Sequence, residues 1–304
     1  MTVKLNATIL KVTLGICTLF IFSCNSKEDK KLQTLTQGQA SILVDESFEP
    51  VMQAQLEVFQ NQYTAKITLV NKPESEAIKL LLSDSINIAI LSRELNADET
   101  KALAHRNIVP KITPFATDAI ALITDTTSKD TLVDLQEVIN FIQGKPSKVK
   151  RLVFDNPGSS TVRYMKELAK VDNLPTKEVY SLKSNDEVIK YVAENPGAIG
   201  VIGVNWVLQP STTMQQYVEK VKIMGVKNVK GQVGDNEYNK PTQSSIGGGL
   251  YPLTRQLYVL NYQGGSGLGM GFASFVAGEI GQRIILKSGL LPVRLPSRQI
   301  KIQK

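Results

Sequence analysis

The sequence predicts an α/β fold, and three observations carry that reading. Short apolar, β-rich runs recur along the chain, and helix-like runs lie between most of them. Hydroxyl residues stand at three of the junctions where a strand run gives way to a helix run. Alternation of this kind favours parallel sheets covered by helices on both faces, with ligand sites beyond the carboxyl ends of the strands.

The first element is a targeting segment. Met1 to Ser23 carries Lys4 and Lys11 and no acid, and Val12 to Phe22 is apolar. These are the n-region and h-region of a secretory signal, too short to span a bilayer comfortably. The run Ile21-Phe22-Ser23-Cys24 resembles a bacterial lipoprotein cleavage site, so Cys24 is expected to become the first residue and to carry lipid. The competing reading is an uncleaved anchor with Cys24 a buried thiol. Cys17 lies inside the signal; with it removed, the mature chain has one Cys and no internal disulfide. The polar stretch Asn25 to Gln39 has no apolar period and reads as a leash, with residues 24–34 the tether proper.

Cleavage after residue 23 leaves 281 residues, enough for two domains of ordinary size. A hydrophobic content of 42% suits a globular protein, and no second long apolar run follows the signal. The formal charge of +7 falls to +5 without Lys4 and Lys11 and is spread along the chain, densest from Lys145 to Arg151. That is a solvated surface rather than a nucleic-acid footprint, although a mild positive bias helps draw in an anion.

Strand runs follow at Ser41–Val44, Lys66–Val70, Ile86–Leu91, Ala119–Ile123, Arg151–Phe154, Ile199–Gly203 and Leu257–Leu260. Helix runs are expected at 50–62, 77–83, 134–142, 162–168, 184–194 and 272–287. Ser47 precedes the first helix and Ser75 the second. Ser159, Ser160 and Thr161 follow the Asn156-Pro157-Gly158 turn and open the fourth. A helix N-terminus presents unpaired N–H groups and a partial positive charge, so it attracts anions, and hydroxyls add donors without adding charge. Plain helix capping explains any one of these turns; three of them together suggest convergence on one small oxyanion.

Catalytic groups are hard to assemble. Gly247-Gly248-Gly249 and Gly264 to Gly269 fit neither the dinucleotide nor the P-loop spacing. His105 is the only histidine and sits in a polar stretch, as a surface residue would. There is no Cys/His cluster for a metal and no sign of a cofactor. A lipid-anchored hydrolase using Ser160 remains the reading from a different class, and it would need His105 as its base.

In order and spacing, several short pieces between Ser41 and Pro292 resemble the PstS-like phosphate-binding proteins of bacterial phosphate ABC transporters, in the periplasmic binding protein superfamily. The pieces are Asp45-Glu46-Ser47-Phe48, Ile88 to Arg93, Ala116 to Ala121, Asn156 to Thr161, Tyr251 to Arg255, and the late Gly281-Gln282 and Gly289-Leu290. The resemblance implies the type II fold of that superfamily: two α/β lobes joined by a two-strand hinge. One lobe would comprise residues 35–113 and 255–304 and the other 114–254, with hinge strands near 114–123 and 250–260.

It also implies a ligand set. Ser47, Phe48 and Ser75 match the hydroxyls and aromatic of the first two helix starts. Ser159 and Thr161 match the family's Ser-Gly-Thr turn, with Ser160 where Gly is usual. Arg93 stands where some members have an acid that accepts the proton of hydrogen phosphate and others have Arg. Asp155 stands where the family often has Arg, so a charge exchange is expected: Arg93 the cation, Asp155 the proton acceptor. The alternative is that both pair with surface partners. The implied protein is a monomeric, lipid-anchored, non-enzymatic subunit of the cell envelope that delivers phosphate to an ABC permease. A receptor or sensor for another oxyanion, sulfate or molybdate among them, is the alternative within the binding class.

Overall fold

A computed structural model describes residues 34–296; the expected signal, Cys24 and most of the tether lie outside the described residues. The strands are β1 (Gly38–Asp45), β2 (Ala65–Lys72), β3 (Ile88–Leu91), β4 (Lys111–Asp125), β5 (Leu132–Asp134), β6 (Leu152–Phe154), β7 (Val179–Ser181), β8 (Ile199–Gly203), β9 (Val221–Ile223), β10 (Gly225–Lys227), β11 (Thr254–Asn261) and β12 (Leu291–Pro292). The longer helices are α1 (Glu49–Gln62), α2 (Glu74–Leu82), α3 (Ala97–Leu103), α4 (Leu135–Ile142), α5 (Ser160–Ala169), α6 (Asn185–Glu194), α7 (Leu268–Ala277) and α8 (Glu279–Lys287).

The α/β expectation holds, in one large mixed sheet. Its order is β2-β1-β3-β11-β4-β8-β6-β7, with β9 and β12 added on β4. At one end β2, β1 and β3 run parallel; at the other β7, β6 and β8 do. Parallel strands covered on both faces read as continuous apolar runs, which is why Ile42-Leu43-Val44 and Leu152-Val153-Phe154 are wholly buried. The middle of the sheet is antiparallel. β4 pairs with β11 over Lys111–Ala119 and then with β8 over Ile120–Ile123, so one 15-residue strand serves both ends. Beside that change of partner, Ile120 N–H donates to the Leu253 carbonyl at 2.9 Å and the Tyr251 hydroxyl to the Ile120 carbonyl at 2.7 Å.

The helix expected over 272–287 is two helices, α7 and α8, broken at Gly278. Gly278 is extended there (φ −83°, ψ 175°) and Glu279 opens the second helix with a negative charge at its N-terminus. A side chain at Gly281 would place its Cβ 2.3 Å from the Phe275 carbonyl oxygen, so only glycine lets α8 fold back so closely on α7. On the other side of α7, Phe272 and Phe275 pack edge-on against Phe59 of α1, with ring centroids 5.3 and 5.2 Å apart.

Two of the hydroxyl-bearing helices begin earlier than their apolar periodicity indicates. α2 starts at Glu74 and α5 at Ser160, so Ser75, Ser160 and Thr161 lie inside first turns, where the free N–H groups are.

Candidate functional site

Ser47 is set by the end of β1. Asp45 accepts the Ser47 N–H at 3.0 Å and turns the chain into a short 3-10 segment, Glu46–Phe48, before α1 opens at Glu49 with Pro50 in its first turn. From the far end of the sheet, the segment after β8 grips the same residue: Trp206 Nε1 and Asn205 Nδ2 donate to the Ser47 carbonyl at 3.0 and 3.3 Å.

The loop after β6 brings the second set. Asn156 Oδ1 accepts the Gly158 N–H at 2.9 Å, and Ser159 caps α5 by accepting the Val162 N–H at 3.2 Å. Ser159 Oγ donates to Asp155 Oδ1 at 2.5 Å, while Asn185 Nδ2 donates to Asp155 Oδ2 at 3.2 Å. Ser160 and Thr161 are fully buried behind them. Ser160 Oγ lies 3.3 Å from Ser47 Oγ, joining hydroxyls 113 residues apart. Ser75 also reaches this loop: its N–H donates to the Gly158 carbonyl at 3.1 Å. A Cβ on Gly158 would stand 2.3 Å from Ser75 Oγ, so glycine is what allows the approach.

At the junction of these turns is a cation the sequence reading did not place in the site. Arg255 of β11 donates from Nη1 to Ser160 Oγ at 2.8 Å and to Thr161 Oγ1 at 3.3 Å. Its Nε bonds Asp118 Oδ2 of β4 at 2.8 Å, and the guanidinium lies 4.7 Å from the centre of the Phe48 ring. Nη2 has no partner among the described residues, nor have Asp45 Oδ2 and Asp118 Oδ1. The sequence held a signal for this pair. Arg255 and Asp118 are both buried in their strands, and a charge placed there needs a partner.

Arg93 stands elsewhere. Its Nη1 and Nη2 hold Glu99 at 2.7 and 2.8 Å, and its Nε reaches Glu74 at 3.4 Å. Glu74 also accepts Ser92 Oγ at 3.1 Å and Arg163 Nε at 2.5 Å. Arg93 and Arg163 therefore form a charged network around Glu74, and the cation touching the hydroxyls is Arg255. Ser160 has Ser47 and Arg255 as partners, whereas His105 is exposed and bonds the Ala102 carbonyl.

The carboxylates around this site are displaced from their ordinary range. Burial raises Asp45 to about 6, helped by the Glu74 charge and opposed by Arg255, the Ser160 hydroxyl and the Ser47 N–H. Burial raises Asp155 to about 7; Ser159 lowers it, the Asp45 charge adds to the rise, and Arg255 and Asn185 oppose it. Asp118 is also raised by burial, against the pull of Arg255. Among the described residues, no group of three or more His, Cys, Asp or Glu is placed to hold a metal ion.

Hydroxyls, N–H groups and one guanidinium in a dry setting can replace the water around a small anion. A family profile described as the PBP superfamily domain matches residues 30–279. The chain belongs to the PBP superfamily. Solved structures of similar fold agree. A phosphate ABC transporter substrate-binding protein from Clostridium perfringens, solved with bound phosphate, superposes with a TM-score of 0.68 at 21% identity, covering 84% of this chain and all of its own. An ABC-type phosphate transport receptor from Vibrio cholerae gives 0.61 at 18% identity, covering 84% of this chain and all of its own. The Synechocystis CcmR regulatory domain in complex with 2-PG gives 0.54 at 14% identity, covering 79% and 96%. These likenesses place this PBP-superfamily chain in the two-lobed periplasmic-binding fold. A comparison with curated protein sequences finds no match.

Proposed function

We propose that this chain is a solute-binding protein that captures inorganic phosphate between two lobes for an ABC uptake transporter. The observation that carries this reading is the meeting of Ser47 and Ser160, from opposite ends of the sheet, beside the buried guanidinium of Arg255. The two similar structures with phosphate in their descriptions support the choice of ligand.

The ligand set is Ser47, Ser75, Ser160, Thr161 and Arg255, with Phe48 beneath the guanidinium and Ser159 and Asp155 shaping the loop. The lobes are residues 35–113 with 255–296, and 114–254, with β4 and the chain around Leu253 as the two crossings; the expected end of the first lobe, 297–304, lies outside the described residues. Closure moves α5 and its loop against Ser47 and Ser75, and the closed form is what a permease reads. The protein works outside the cytoplasm as a monomer, tethered through lipid on Cys24. No helix among the described residues is long and apolar enough to cross a membrane.

Isothermal calorimetry on a chain starting at Asn25 tests the reading. Phosphate should bind at micromolar concentration or tighter, with sulfate and molybdate at least tenfold weaker. Heat from sulfate or molybdate and none from phosphate would shift the assignment to another oxyanion.

A further inference from the structure

Glu74 is an unexpected residue beside an oxyanion pocket. It is the first residue of α2, next to Ser75, it is 2% exposed, and its charge is felt at Asp45. Left alone, a carboxylate buried there repels an incoming anion and is costly in itself. The donors that satisfy it come from two directions. On its own side of the pocket, just after β3, Ser92 Oγ donates to Glu74 Oε2 at 3.1 Å and Arg93 Nε to Oε1 at 3.4 Å. From α5, Arg163 donates from Nε to Oε1 at 2.5 Å and from Nη2 to Oε2 at 3.2 Å. One guanidinium thus grips both carboxylate oxygens of a residue 89 positions away, and its Nη2 also donates to Ser92 Oγ at 3.0 Å. Paired bonds of this kind are the strong form of an ion pair.

Arg93 has another carboxylate to hold. Glu99 takes both of its Nη groups, and only Nε turns to Glu74. Arg163 is therefore the main counter-charge of Glu74, and Glu167, one turn further along α5, aims it by accepting from Nη1 at 2.7 Å. Glu74 and Arg163 belong to different lobes of the arrangement proposed above. Lobe opening withdraws α5 from α2, breaks both bonds, and leaves Glu74 with the Ser92 hydroxyl and one long bond from Arg93. We propose that Arg163 and Glu74 are a latch between the lobes, Arg163 acting as a positioning residue outside the ligand set that slows release of the bound oxyanion. This rests on the two-lobed binding reading and adds what holds the lobes shut.

Such a latch acts on one rate. An ion pair that forms only when the lobes meet does nothing to bring an oxyanion into the open cleft, but it must break before the oxyanion leaves. Truncating one partner of a buried, hydrogen-bonded charge pair shows in the release rate, whereas losing a cation that attracts the ligand through solvent shows in the association rate.

The chain carries its own reporter. Trp206, the only tryptophan, follows β8 in one lobe and donates from Nε1 to the Ser47 carbonyl of the other at 3.0 Å, so its emission should change as the lobes part. Stopped-flow fluorescence with inorganic phosphate gives association on mixing, and release on adding a phosphate-consuming enzyme. Arg163→Met should release phosphate about tenfold faster, with association unchanged within about twofold. Combined with Glu74→Gln, the same substitution should change release by less than about twofold, because the partner it acts through is gone. Arg163→Lys keeps the charge and loses the fork, so it too should release phosphate faster than the unsubstituted protein; it carries the test where Arg163→Met folds poorly. Slower association with release unchanged would overturn the latch and leave the phosphate assignment standing. So would an equal effect of Arg163→Met with and without Glu74→Gln. An unsubstituted protein that binds no phosphate would overturn the proposed function as well.

Discussion

Replacing Arg255 by Met separates the structural work of that side chain from its ligand work. The guanidinium holds Asp118 through Nε, Ser160 and Thr161 through Nη1, and packs on Phe48. Removing it leaves the Asp118 carboxylate buried without a counter-charge, a change that costs about 3–5 kcal/mol. The cost should shrink at acid pH, because burial already favours the protonated form of Asp118 and, without Arg255, only the Ala119 N–H would oppose it. The double substitution Arg255→Met with Asp118→Asn removes the uncompensated charge and should recover most of the lost stability in urea melts. Phosphate binding should not recover. A hydrogen bond to a charged group is worth about 1.5–3 kcal/mol, which corresponds to a loss of about 10- to 150-fold in affinity. A double variant that binds phosphate as tightly as the unsubstituted protein would refute the placing of Arg255 at the ligand.

Three further outcomes are expected. Ser160→Ala removes the bridge to Ser47 and one bond from Arg255, so stability should change by about 1 kcal/mol while calorimetry shows phosphate at least tenfold weaker. In the ligand-free protein, thermal stability should fall as pH rises from 5 to 8. Asp45, Asp155 and Glu46 are raised to about 6, 7 and 8 from ordinary values of 3.8, 3.8 and 4.5, so the folded state holds more protons than the unfolded state between those limits. Asp155→Asn should flatten that slope by up to about 1.4 kcal/mol per pH unit; an unchanged slope would show that Asp155 titrates normally. Phe59→Ala should cost about 3–5 kcal/mol in urea melts by opening the contact with Phe272 and Phe275, and should leave phosphate affinity unaltered.

The fold was legible because each parallel strand is a short apolar run and each helix between them is periodic. Ile42–Val44, Ile88–Leu91 and Ile199–Gly203 are where the pattern puts them. The short pieces β5, β7, β9 and β10 have three residues each, too few for a period to register. Apolar periodicity sets the starts of α2 and α5 late because Glu74-Ser75-Glu76 and Ser160-Thr161 carry no apolar signal. The hydroxyls of the site were visible because turn chemistry marks them. Arg255 was not, because its partners Asp118, Ser160 and Thr161 are 94 to 137 residues away and only tertiary structure unites them. Arg93 was expected in the pocket as one half of a charge exchange. The local pairing with Glu99, six residues on, holds it instead.

The account stands on one oxyanion being shared by two helix starts and a strand arginine, and a crystal structure grown with phosphate measures that directly. It should place phosphate within hydrogen-bond reach of Ser47 Oγ, Ser160 Oγ, Thr161 Oγ1 and an Arg255 Nη atom. Phosphate held elsewhere, with Ser47 and Ser160 still bonded to each other, would contradict it.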